Sequence, residues 1–134
     1  MHRSALAGRA KLVKYEINEL LENVDIVNGI KVLKKSFENK SIDELKEIVD
    51  RGKEKLQSGV IILGSDNEKA IFVAGVTKDL ISKVKAGDIV KVAAQVTGGN
   101  GGGRPDFAQA GGKDGNTVGQ AVEKAFEYIV SQLS

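Results

Sequence analysis

Nine of the chain's sixteen glycines fall between Gly98 and Gly119, and that concentration restricts the fold more than any other feature. Glycine carries the largest entropic loss on folding and favours places where the backbone must turn sharply or be approached closely. The run Gly98-Gly99-Asn100-Gly101-Gly102-Gly103 therefore reads as a loop, set between the last two helices. A plain flexible linker is the simplest account of such a run. Against it stands the string Arg104-Pro105-Asp106-Phe107-Ala108-Gln109-Ala110-Gly111-Gly112-Lys113, whose residues have specific geometric uses. Successive glycine amides can form a concave nest for an anion. Arg104 adds a planar charged fork, and Lys113 a point charge. Pro105 fixes the backbone after the arginine, and Phe107 offers a face for a base or ribose. Two residues keep structural alternatives: Asp106 would accept from a base or brace Arg104, with bracing favoured, and Phe107 would stack or tie the loop to the core.

The segment matches no standard nucleotide fingerprint. Lys113 is followed by Asp114 rather than Ser or Thr, so it is not a P-loop. Neither Gly99-x-Gly101 nor Gly101-x-Gly103 is completed by the third glycine of a dinucleotide site.

Around this segment the pattern is mixed α and β. Leu6, Ala10, Val13, Ile17, Leu20 and Val24 form a heptad stripe, predicting an amphipathic helix over residues 1–23 that serves as a linker or a dimer contact. Asn28-Gly29 between Val24–Val27 and Ile30–Phe37 predicts a tight β-hairpin. Ser41-Ile42-Asp43-Glu44 is a capping box opening a helix whose apolar face is Ile42, Leu45, Ile48, Val49 and Leu56, ended at Gly59. Val60–Leu63 suits a buried strand, and a polar turn over Gly64–Lys69 joins it to a second strand at Ala70–Val76. Thr77 is placed as the cap of a short helix, Asp88 as the cap of a helix over Ile89–Val96, and Asn116 or Thr117 as the cap of a final helix reaching Leu133. The sum is one α/β (α+β) domain over residues 24–134, with a mixed sheet of about four strands and flanking helices.

Composition removes much familiar chemistry. The 134 residues suffice for one core, and no apolar run approaches a membrane span. With no signal-peptide pattern either, a soluble, cytoplasmic location is expected. There is no cysteine, and the one histidine, His2, stands at the chain end. Disulfides, thiolate metal sites and Ser-His-Asp catalysis all lose their residues, so neither a catalytic nor a metal site is expected. A net charge of +2 does not by itself point to nucleic acid.

The string Gly101-Gly102-Gly103-Arg104-Pro105-Asp106-Phe107-Ala108-Gln109-Ala110-Gly111-Gly112 closely resembles the signature of the C-terminal domain of alanyl-tRNA synthetases. That domain is related to the DHH-associated domain of RecJ-type phosphoesterases. The resemblance extends over residues 24–134, and residues 1–23 resemble the end of the helical linker before it. It implies a non-catalytic module that contacts the tRNA elbow, brings the aminoacylation and editing domains together on alanine tRNA, and aids dimerisation in some members. It further implies a surface made by Gly101, Gly102, Gly103, Arg104, Asp106, Phe107, Gln109, Gly111, Gly112 and Lys113. No cofactor is implied for this chain; the parent synthetase would use ATP with magnesium, and zinc, in other domains. The alternative is the substrate-gripping domain of a DHH phosphoesterase acting on nucleic acid, whose Asp-His-His string this sequence lacks.

Overall fold

The computed structural model describes residues 24–67, 69–113 and 117–133. The heptad stripe up to Leu20 and the candidate cap Asn116 lie outside these residues. In chain order the elements are β1 (Asp25–Val27), β2 (Ile30–Glu38), α1 (Ile42–Leu56), β3 (Gly59–Asn67), β4 (Lys69–Val76), a 3-10 turn (Lys78–Leu80), α2 (Ala86–Val96), β5 (Asn100–Gly103), β6 (Phe107–Gly112) and α3 (Val118–Leu133).

The mixed α/β class holds, but the sheet has six strands in the order β1-β2-β3-β4-β6-β5 rather than about four. Only β2 and β3 run parallel, joined through α1; every other pair is antiparallel. The two strands missing from the sequence reading are β5 and β6, both inside the glycine-rich segment.

Local chemistry explains the elements near the N-terminal side. Asn28 and Gly29 take φ of 53° and 81°, the two positive values a primed turn needs between β1 and β2. The Ser41 side chain accepts from the Glu44 amide while the Glu44 carboxylate takes the Ser41 amide, so the capping box is formed. Gln57, at φ 61°, ends α1, and Gly59 begins β3 instead of closing the helix. The β3–β4 turn lies at the far end of the predicted polar stretch, because β3 continues through Gly64 to Asn67. A Cβ on Gly64 would come within 2.8 Å of Val118 and Val122, so its absence lets α3 settle onto β3.

Two apolar layers flank the sheet. Leu33, Ile61, Leu63 and Val73 pack with Leu45, Ile48, Val49 and Leu56 of α1. Their neighbours Val32, Val60, Ile62, Phe72 and Ala74 face the other way, into α2 and α3. Val60–Leu63 is apolar throughout because both its faces are buried.

Thr77 stands at the N-cap position of the 3-10 turn, as expected, whereas the cap assigned to Asp88 is corrected. The Thr77 hydroxyl makes no cap bond; it accepts from the Gly59 amide at 3.0 Å and contacts Asp79 at 2.6 Å. α2 opens at Ala86 after Lys85, without a side-chain cap, and Asp88 sits inside its first turn. The Ala86 amide is taken by the Pro105 carbonyl at 2.8 Å, so a distant turn satisfies the helix start.

Candidate nucleic-acid interface

The glycine-rich segment is a β-hairpin at the edge of the sheet. β6 lies against β4 with Ala74 opposite Ala108 and Ile71 opposite Gly111, and β5 lies outside β6 with Gly102 opposite Gln109. The loop and its glycine nest give way to extended backbone whose amides enter a ladder, and among the segment's described residues only Gly98 has a positive φ, 73°.

Close packing explains part of the glycine content. α2 lies over β4, β5 and β6. A Cβ on Gly103 would come 2.7 Å from the Ala108 Cα, and one on Gly101 would overlap the Ala110 side chain. One on Gly99 would overlap the Gly111 carbonyl, and one on Gly112 the Thr97 hydroxyl. Gly102 and Gly111 differ. Nothing lies within 4 Å of a Cβ on Gly102, and one on Gly111 meets only the Ala70 carbonyl at 3.6 Å. Both are exposed, as are Asn100 and Gln109 on the same face.

The turn from Gly103 to Phe107 is held by its own carbonyls. Pro105 C=O accepts from Ala86, and Asp106 C=O accepts from Val76 at 3.0 Å and from the Lys53 ammonium at 3.1 Å. The Arg104 amide donates to Phe107 C=O at 3.0 Å. With its backbone fixed, the turn projects the Arg104 side chain, which stays 79% exposed. Asp106 places a carboxylate oxygen 3.8 Å from Arg104 Nε, the bracing arrangement, long enough to leave the guanidinium available. Phe107 is half-buried against the α1-side layer, which favours its role as a tie to the core.

Arg104 and Lys113 are not brought together. They sit at opposite ends of β6, whose six residues span ~17 Å at ordinary strand rise. At the Lys113 end, Lys69, Ile71, Asn100, Gly111 and Gly112 join Lys113 around a surface depression of about 690 Å³. Lys69 and Ile71 are not among the surface residues expected from the sequence, and only the register Ala70 opposite Gly112 brings them there. No spacing in the sequence announces that pairing. Among the described residues no group of three His, Cys, Asp or Glu side chains could hold a metal ion, and no helix is long and apolar enough to cross a membrane.

A six-stranded mixed sheet between helices, with a glycine hairpin at its edge and a braced arginine at the hairpin turn, defines the class of the domain. The chain belongs to the DHHA1 domain family, whose model matches residues 29–131. Within that class it is similar to alanine–tRNA ligases. It is 45% identical over 128 residues to that of Alkaliphilus oremlandii, covering 94% of this chain and 14% of that protein. To that of Bacillus velezensis it is 48% identical over 126 residues, covering 92% of this chain and 14% of that protein. The chain thus spans about 14% of the length of these relatives. Among solved structures it matches the C-Ala domain from the Aquifex aeolicus alanyl-tRNA synthetase with a TM-score of 0.69 and 28% identity, over 84% of this chain and 98% of that one. RecJ from Thermus thermophilus shares the fold at a TM-score of 0.63 and 12% identity, over 93% of this chain and 18% of that one. The resemblance carried by the Gly101–Gly112 string is therefore borne out.

Proposed function

We propose that this domain is a non-catalytic tRNA-binding module of an alanyl-tRNA synthetase. The observation that carries the reading is the match of 84% of the chain to 98% of an isolated C-Ala domain, joined to 45% identity with a full-length alanine–tRNA ligase over nearly the whole chain. The exposed hairpin supports it. Arg104 projects from a turn whose backbone is held by bonds to Ala86, Val76, Lys53 and Phe107, so the side chain meets a ligand without the turn having to order. RNA is commonly read by shape, backbone contacts and unpaired bases, which a flat glycine strip flanked by cations suits.

The module contacts the outer corner of tRNA, holds the aminoacylation and editing domains on one alanine tRNA, and works in the cytoplasm. ATP and metal chemistry belong to the other domains of the parent. The small net charge of +2 matches modest affinity on its own, with linked domains raising the total through effective concentration. Titration of the chain with alanine tRNA and with an acceptor minihelix that lacks the elbow tests the reading. The full tRNA is expected to bind at least about tenfold more tightly, a difference of ~1.4 kcal/mol. Equal binding overturns the elbow contact, and no binding of either RNA overturns the tRNA role. Arg104→Ala should weaken tRNA binding severalfold while leaving the melting temperature unchanged. Light scattering with and without residues 1–23 checks the dimer contribution: loss of a dimer on truncation supports it, and a monomer in both cases removes it.

A further inference from the structure

The end of the hairpin remote from Arg104 has features that the turn does not explain. Lys69 begins β4 and Lys113 follows β6, and the β4–β6 register places both beside one depression. Both side chains are exposed, and neither forms an ion pair among the described residues. The described residues that line the depression include both lysines and no carboxylate. Asn100, exposed and opposite Gly111, adds an amide that can donate or accept. Half-buried Ile71 lies beneath.

Gly111 completes the arrangement. Its backbone is not left-handed, and a Cβ there would make only an ordinary contact, so internal packing does not call for glycine. Glycine inside a strand otherwise marks a place where another group approaches the backbone closely. At Gly111 it leaves the outer surface as bare peptide between two lysines.

We propose that this depression binds a phosphodiester of the RNA backbone. Lys69 and Lys113 flank the phosphate, Asn100 donates to one of its oxygens or to the adjacent ribose hydroxyl, and Gly111 admits it to the strand. The inference rests on the tRNA-binding reading and adds to it a second contact, ~17 Å along the hairpin from the arginine turn. It assigns the two ends different work: the lysine end supplies affinity without sequence preference, and the Arg104 end fixes orientation.

The test uses the full chain and alanine tRNA over a series of salt concentrations. The double variant Lys69→Gln/Lys113→Gln should bind about tenfold more weakly at low salt, and the slope of log affinity against log salt should fall by about one per lysine removed. Lys69→Arg/Lys113→Arg, which keeps the charge, should recover most of the loss. Gly111→Ala should keep the wild-type melting temperature and bind severalfold more weakly, because its methyl group occupies the approach. A wild-type chain that binds no tRNA overturns the tRNA reading itself. A wild type that binds, beside a lysine double variant with unchanged affinity and salt slope, overturns this inference alone. Full affinity in Gly111→Ala overturns the close approach to the strand.

Discussion

On its inner face the β5–β6 hairpin sets Gly101 against Ala110 and Gly103 against Ala108, with α2 directly above. On its outer face it sets Gly102 against Gln109 and Asn100 against Gly111, with all four residues exposed. The same residue type serves two ends. The inner glycines are demanded by neighbours that leave no room for a methyl group, whereas the outer ones meet open space or an ordinary contact. A glycine-rich string is thus half a packing device and half a surface, and the alternation of strand faces separates the two. The inner glycines seat α2, and α2 in turn receives the Pro105 carbonyl at its first amide, which fixes the turn that carries Arg104.

The largest effect that could break this comparison lies at Gly101. Gly101→Val forces a branched side chain onto Ala110, and unfolding in urea should show a loss of about 3 kcal/mol, at the upper end of overpacking. A variant as stable as the wild type would mean that the inner face is not close-packed. The next effect concerns the turn. Lys53→Met keeps an aliphatic stem beside Gly75 but removes the ammonium from the Asp106 carbonyl. That carbonyl still accepts from Val76, so the expected loss is ~1 kcal/mol by the same measurement. Gly102→Val sharpens the contrast from the outer side. Valine favours strands and nothing lies in its way, so stability should stay within about 0.5 kcal/mol of the wild type or rise. A loss like that of Gly101→Val would erase the difference between the faces.

The smallest effect serves as a reference away from the hairpin. Asp79 accepts from the Ser58 and Thr77 hydroxyls, and these bonds hold its pKa below the ordinary 3.8. A carboxylate with a lowered folded pKa stabilises the fold above its unfolded value, and that stability is lost as pH falls through the folded value. Wild type should therefore exceed Asp79→Asn by a small margin at neutral pH, and the margin should shrink below about pH 3.8. Paired thermal melts from pH 7 to pH 3 check this, and a constant margin would remove the carboxylate's role.

Much of the architecture could be read before the structure, for local reasons. Asn28-Gly29, the Ser41–Glu44 box and the three-four spacing from Val118 to Leu133 each act within a few residues, and each forms where the pattern places it. The hairpin was not legible. Glycine has low strand propensity, and only pairing with β6 and cover from α2 make Asn100–Gly103 a strand. The start of α2 departs from its local pattern for a related reason: Asp88 is a good local cap, but a carbonyl nineteen positions after Ala86 occupies the first amide.

For the candidate surface the division is similar. The string Gly101–Gly112 was enough to place the chain in its family, since such strings are specific in one dimension. Asp106 beside Arg104 also followed from its neighbours in sequence, whereas Phe107 stood open between stacking and anchoring until the fold packed it against the core. What the tertiary structure decided was which residues share a face. Strand register carries Lys69 and Ile71 to Lys113, and strand length parts Lys113 from Arg104. Sequence determines local dihedral choices and the identity of the side chains on offer. Register between strands distant in the chain depends on burial of both sheet faces at once, and that is settled only when the layers close.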